Sequence, residues 1–296
     1  MARIGIVGVG AVGGAVAGAL ATTQRHELTL FTRRPRCSPL VVEADGCELC
    51  VTADFCSDPA DIRGPVDWVV VAVKTYQSAG AHPWLREICD GSTRVLPLQN
   101  GVEQKRLLNP AVSDSAVVPA VIWVASEVTD DGVVRVRGPA RAVVADDPSG
   151  GDVVDLFAGS FLEVEVTPDI ELAAWRKLCT NAVATLEALV GHPSGIFVDQ
   201  GVAQVGTTIA RECAQVARAR GVGLTDDDAV HAVAFLASLP PTTGASILRD
   251  RLSDRHLEWD ALIGVISRLG DQHGIETPVC DIVSSLLAAA DALVDG

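Results

Sequence analysis

Of the 23 basic residues in this 296-residue chain, lysine occurs only at positions 74, 105 and 177. Arginine keeps its charge under all conditions, whereas lysine is a compact ammonium that can give up a proton, so the few lysines are the first candidates for proton chemistry. Lys105, within Glu103-Gln104-Lys105-Arg106, reads as part of an ordinary polar helix surface. Lys74 follows the apolar run Trp68 to Val73, a strand-like stretch, and so falls at the carboxyl end, where open α/β sheets bind ligands. Gln99-Asn100-Gly101 ends the next strand and is expected at the same edge. Lys177 lies in a helical stretch with Asn181 and Thr185 four and eight residues on, which puts the three side chains on one stripe. Trp175, Leu178, Ala182, Leu186 and Leu189 form the apolar stripe beside it. Such a border suits a partly desolvated polar pocket, and equally the solvated edge of an amphipathic helix.

A second chemical signal opens the chain. Gly8-Val9-Gly10-Ala11-Val12-Gly13 follows the strand-like Arg3 to Val7 and precedes an Ala-rich helix, the context in which G-x-G-x-x-G reads as a dinucleotide fingerprint. Gly8 permits the tight turn, Gly10 lets backbone approach a pyrophosphate, and Gly13 lets helix pack on strand. The helix N-terminus then faces the phosphates. An NAD site wants a carboxylate after the second strand, yet the sequence there is Phe31-Thr32-Arg33-Arg34, and Glu27 stands at the wrong end. Two guanidiniums and a hydroxyl suit a 2′-phosphate, so the expected cofactor is NADP(H).

The elements that must carry these groups fall into two halves. Strand-like runs at Arg3–Val7, Leu28–Phe31, Trp68–Val73, Arg94–Leu98 and Val117–Trp123 alternate with helical stretches, the pattern of a parallel sheet with helical crossovers. Gly132–Arg137 and Arg141–Ala145, split by Gly138-Pro139, read as a hairpin closing that domain. From Pro168 onward the segments read as helices: 171–190, 204–220, one capped by Thr225 ahead of three aspartates, 257–272, and a last one opened by Thr277-Pro278. The expected architecture is α/β: an N-terminal Rossmann-type dinucleotide-binding domain over 1–167, followed by an all-helical C-terminal domain over 168–296.

Composition narrows the partners. A net charge of −15 argues against nucleic acid or an anionic membrane surface, while leaving room for a small anion held by a few local cations. No leader-like segment follows Met1 and no apolar run reaches the roughly 20 residues that cross a bilayer, so a soluble, cytoplasmic protein is expected. Cys47 and Cys50 form a C-x-x-C, with Cys37 and Cys56 nearby, but no second pair or matching histidine completes a zinc signature. No metal site is expected. Assembly is left open between a single copy and a homodimer.

Beyond the glycine turn, the motifs Val73-Lys74-Thr75-Tyr76-Gln77, Gln99-Asn100-Gly101, Trp175-x-Lys177-Leu178-x-x-Asn181, Ala245-Ser246-Ile247-Leu248-x-Asp250, Leu257-Glu258-Trp259-Asp260 and Gly274-Ile275-x-Thr277-Pro278 appear in order. Each is weak alone. Together, over nearly the whole chain, they resemble the ketopantoate reductase (2-dehydropantoate 2-reductase) family. That resemblance implies NADPH-dependent reduction of a small anionic 2-keto acid, ketopantoate in pantothenate and coenzyme A synthesis, in a cleft between the two domains. It implies Lys177 as general acid and Glu258 as its charge partner, with Asn100, Asn181 and Ser246 on the substrate. Lys74 and Asn100 would face the cofactor. Thr185 stands where the family usually has a second helix Asn, and Ala245-Ser246-Ile247 replaces Ser-Ser-Met. Substrate choice is therefore expected to turn on Thr185, which would also accommodate a different 2-keto or β-hydroxy acid. A non-catalytic NADP(H)-binding regulator on the same fold has no use for Lys177 and Glu258 together.

Overall fold

The computed structural model describes residues 1–35, 39–113 and 116–294. They divide into two compact units, 1–99 with 103–170, and 100–102 with 171–296.

The first unit is built on a five-stranded parallel sheet from β1 (Arg3–Val7), β2 (Glu27–Phe31), β5 (Asp54–Cys56), β6 (Trp68–Val71) and β7 (Arg94–Pro97), ordered β5-β2-β1-β6-β7. The central strands are buried on both faces: Ile4, Ile6, Val69, Val70 and Val71 have no exposed surface. That is why they read as continuous apolar runs, with no alternation. Helix α1 (Ala11–Thr23) follows β1, and α2 (Ser78–Ile88) packs on the opposite face with Ala81, Leu85 and Ile88 buried.

A second sheet lies on the far side of α1. It is formed by β3 (Leu40–Ala44), β4 (Cys47–Val51), β8 (Ala120–Val128), β9 (Val134–Ala145) and β10 (Leu162–Thr167). The sandwiching explains the Ala- and Gly-rich composition of α1: a Cβ added at Gly14 would sit 2.5 Å from Val134, and one at Gly18 2.8 Å from Val42. A helix buried all round has no polar face to display.

One sequence expectation changes here. The expected hairpin is one continuous strand, since β9 runs through Gly138-Pro139 and pairs antiparallel with β8 from Val128↔Val134 to Ala120↔Val144, with an irregularity between Trp123 and Ala125. Cys47 and Cys50 both lie on β4, three residues apart, so their side chains leave opposite faces of the strand and make no C-x-x-C site. Cys37 lies outside the described residues.

The second unit is helical: α5 (Ile170–Val190), α6 (Gln200–Ala219), α7 (Asp226–Ser238), α8 (Ser246–Leu252), α9 (Val265–His273) and α10 (Pro278–Asp291). The expected caps are present. Thr225 and Asp228 exchange hydrogen bonds in a capping box at the start of α7, and Gly274 ends α9 at φ 67°. The predicted helix over 257–272 begins with a π-helical turn, Asp260–Gly264. No described helix is long and apolar enough to cross a membrane.

Candidate active site

The glycine turn of the first unit assigns a separate task to each glycine. Gly8 has φ +97°, and a Cβ there would fall 2.6 Å from the Val73 backbone nitrogen. At Gly13 a Cβ would lie 1.9 Å from the Gly8 carbonyl oxygen, so any side chain would force α1 off the sheet. Gly10, the N-cap of α1, has nothing within 4 Å of where a Cβ would be, and no side chain caps it. A backbone cradle kept open by glycine at a helix N-terminus fits a pyrophosphate.

Beside that turn, Phe31 pairs with Val7 in parallel register, so Thr32, Arg33 and Arg34 leave the sheet at the same edge as Gly8. Thr32 donates to the Arg34 carbonyl at 2.8 Å, and both guanidinium-bearing residues are exposed. Lys74 lies three residues beyond β6, at the same carboxyl edge, half-buried ahead of a short 3-10 turn. Gln99 ties the end of β7 to this loop by donating to the Val73 carbonyl at 3.0 Å and to the Ser78 hydroxyl at 2.9 Å.

In the second unit, α5 presents Lys177. Trp175, Leu178, Ala182 and Leu186 are buried as the periodicity predicts, whereas Leu189, expected on the same stripe, is exposed. Each buried large apolar side chain contributes roughly 1.5–3 kcal/mol. Packing therefore fixes the backbone of Lys177.

The Lys177 ammonium donates to Asn100 Oδ1 at 3.2 Å, and Asn100 Nδ2 donates to Glu258 Oε2 at 3.2 Å. One amide thus bridges cation and carboxylate, using both of its ends. Glu258 is buried and heads the π-helical turn, its carbonyl accepting from the Ala261 and Leu262 nitrogens at 3.1 Å. Gly101 has φ +87°, and a Cβ there would lie 3.1 Å from the Ala261 carbonyl, so a glycine is needed beside Asn100. Burial pushes the Lys177 pKa down from the usual lysine range to about 8, and the Glu258 charge opposes that fall. The result is an ammonium that gives up its proton more readily than a solvated lysine does.

Lys177 and Asn100 stood out in the sequence and Glu258 was named by the family resemblance; neither anticipated that the Asn100 amide bonds both of the others. Asn181 is half-buried one turn beyond Lys177, and Ser246 is exposed at the first position of α8; both lie outside the bonded trio. Thr185 departs from its expected role. It has no exposed surface, and its hydroxyl donates to the Ala182 carbonyl at 2.6 Å, so it belongs to the helix packing. Thr185→Asn is accordingly expected to place a buried amide without partners, costing about 1–3 kcal/mol. A melting curve should show a lower Tm, with no gain in kcat/KM for ketopantoate; a stable variant with improved kcat/KM would restore Thr185 as a substrate contact.

The family model described as Ketopantoate reductase PanE/ApbA matches residues 4–149, and its C-terminal counterpart matches residues 169–291. The chain belongs to the ketopantoate reductase family. It is 40% identical to a 2-dehydropantoate 2-reductase of Mycobacterium tuberculosis H37Rv over 97% of each chain. A Caulobacter vibrioides 2-dehydropantoate 2-reductase is 36% identical over 98% of this chain and 99% of its own. The crystal structure of a PanE/ApbA family ketopantoate reductase from Ralstonia eutropha JMP134 superposes with a TM-score of 0.89 at 30% identity, covering 99% of this chain and 100% of that one.

Proposed function

We propose that this ketopantoate reductase family member reduces the ketone of 2-dehydropantoate (ketopantoate) to pantoate, with NADPH as reductant. The observation that carries the reading is the Lys177–Asn100–Glu258 bridge, which holds an ammonium with a pKa near 8 on a rigid helix. Gly8, Gly10 and Gly13 would cradle the dinucleotide pyrophosphate, with Val9, Ala11 and Val12 setting the turn between them. Arg33 and Arg34 would take its 2′-phosphate, and Lys74 and Asn100 would face its nicotinamide end. NADPH supplies the hydride. Reduction of a ketone leaves negative charge on the carbonyl oxygen, and Lys177 both stabilises that charge and delivers the proton that quenches it. Asn100 fixes the ammonium in position, and Glu258 keeps it charged by raising its pKa against burial. Asn181 and Ser246 are assigned to the polar groups of the keto acid.

The direct test measures NADPH consumption over a panel of 2-keto acids that includes ketopantoate. Ketopantoate should give the highest kcat/KM; a different keto acid preferred by roughly tenfold or more, about 1.4 kcal/mol, would reassign the substrate while keeping the chemistry.

Glu258→Gln tests the electrostatic role. Removing the negative charge lets burial act unopposed, so the Lys177 pKa falls below about 8 and the ammonium is lost at lower pH. For reduction, which requires the protonated form, the alkaline limb of kcat/KM should move down by about one pH unit, roughly a fivefold loss at pH 8 and almost none at pH 6. An unmoved limb would show that Glu258 does not set the charge of Lys177.

A further inference from the structure

Glu187 carries a carboxyl group buried on α5. It stands in the apolar run Ala184 to Val190, is 1% exposed, and brings a carboxyl group into the helical core. Oε2 accepts a hydrogen bond from the Ala245 backbone nitrogen at 2.6 Å, while Oε1 is buried with no hydrogen-bond partner. Burial pushes the carboxyl up to about 7, against the opposing pull of the Ala245 N–H and of the Arg249 charge. An apolar side chain would pack there at less cost, since a buried polar group with an unmet oxygen is unfavourable. Stability therefore does not account for Glu187.

What the carboxylate grips is informative. Ala245 is the N-cap of α8, has no side-chain cap of its own, and directly precedes Ser246, the exposed first residue of that helix. Upstream, the 241–243 segment is anchored separately: Ser194 donates from its nitrogen and hydroxyl to the Thr243 carbonyl at 2.9 and 2.7 Å, and the Gly195 nitrogen donates to the Pro241 carbonyl at 3.1 Å. Glu187 is thus the side-chain tie between α5, which carries Lys177 and Asn181, and the Ala245–Ser246 step.

We infer that Glu187 is a positioning residue for substrate binding, fixing the Ala245–Ser246 turn relative to the α5 residues through its bond to the Ala245 N–H. The inference rests on the assignment of Ser246 to the substrate. It places the effect of Glu187 on KM and not on the proton transfer at Lys177, which is anchored independently by Asn100.

The bond can be cut from either side. Glu187→Ala removes the acceptor, and Ala245→Pro removes the donor at a residue whose φ of −65° already suits proline. With ketopantoate as substrate, each is expected to raise KM by about 5–30-fold while kcat stays within about threefold, and the double variant should be no worse than either single one, as for two ends of one interaction. Glu187→Gln keeps an acceptor of similar size and should restore KM to within about threefold of the wild type. Tm, NADPH affinity and kcat serve as controls, because a purely structural role would move Tm and leave KM alone. Folded Glu187→Ala and Ala245→Pro enzymes with wild-type KM overturn the inference, as do additive effects. If either variant fails to fold, the other reads the same bond. Ser246→Ala separates the two levels: raised KM there with unchanged KM in the Glu187 and Ala245 variants defeats the positioning role alone, whereas unchanged KM in Ser246→Ala defeats the assignment on which it rests.

Discussion

Lys177→Ala is expected to lower kcat for keto-acid reduction by roughly 10²–10⁴, the usual contribution of a positioned general acid, while NADPH affinity stays close to wild type. The loss should appear in kcat more than in KM, because the interaction removed is one that strengthens only as charge develops on the carbonyl oxygen. Lys177→Arg should recover little: a guanidinium retains the charge but does not release its proton in this pH range. Near-normal turnover of either variant on ketopantoate would remove Lys177 from the mechanism.

Replacing Lys177 with an apolar side chain of similar length carries an expected stability gain, and its sign follows from the direction of the pKa shift. Burial lowers the Lys177 pKa from 10.5 in the unfolded chain to about 8 in the fold. Between those values the unfolded state binds more protons, so stability should rise with pH across this window and be lowest, with respect to this group, below about pH 8. Lys177→Met removes the buried ammonium and should raise Tm at pH 7 by roughly 2 °C or more, with a smaller gain at pH 10. A catalytic group held at a cost to the fold behaves this way; a lysine kept for stability would give a lower Tm when replaced.

How much of this could be read from the residues depended on the range of the interaction. The glycine turn, the parallel strands and the helix caps are local features, and Gly8, Gly13, Thr225 and Gly274 occupy the conformations or contacts that their surroundings in sequence require. In the second sheet β8 and β9 overlap runs read as strands, whereas β10 and the β3–β4 hairpin were missed, the hairpin despite a local signal. Asp45-Gly46, both at positive φ, joins β3 to β4, and an Asp-Gly pair between β-branched or apolar residues is a strong hairpin mark. The Gly138-Pro139 step misled in the opposite direction, because β8 pairs with β9 on both sides of it and the register shift between Trp123 and Ala125 takes up the step. Lys177, Asn100 and Glu258 stand far apart in sequence, and the bridging amide is a tertiary contact that no spacing encodes. Thr185 failed for a related reason: helical periodicity put it in line with Lys177, but four residues on an α-helix advance about 400° and two such steps drift about 80°, enough to carry a side chain from the polar edge into the core.

Cofactor choice is expected to rest on Arg33 and Arg34, and to be strong. The parallel register that sets Phe31 opposite Val7 brings the residues after β2 out at the edge where the glycine turn leaves β1, so two exposed arginines stand where the ribose of a bound dinucleotide lies in this kind of fold. No carboxylate occupies 32–34 to receive a 2′-hydroxyl or to repel a 2′-phosphate. The Thr32 hydroxyl donates to the Arg34 carbonyl at 2.8 Å, which would leave the guanidiniums as the groups to read a 2′-phosphate. A charge-assisted bond contributes about 1.5–3 kcal/mol, so NADPH should bind about 10–150-fold tighter than NADH. The Arg33→Ala, Arg34→Ala double variant should lose that margin through a weaker NADPH Kd alone, with NADH affinity unchanged and kcat at saturating cofactor close to wild type, since neither residue belongs to the Lys177–Asn100–Glu258 trio. Raised salt should mimic part of the effect on NADPH and none of it on NADH, because exposed charge pairs are screened while the glycine cradle is not. Equal affinity of the wild type for the two cofactors, or a parallel loss of both in the double variant, would assign the arginines to the solvated surface and leave the glycine turn as the whole of the recognition.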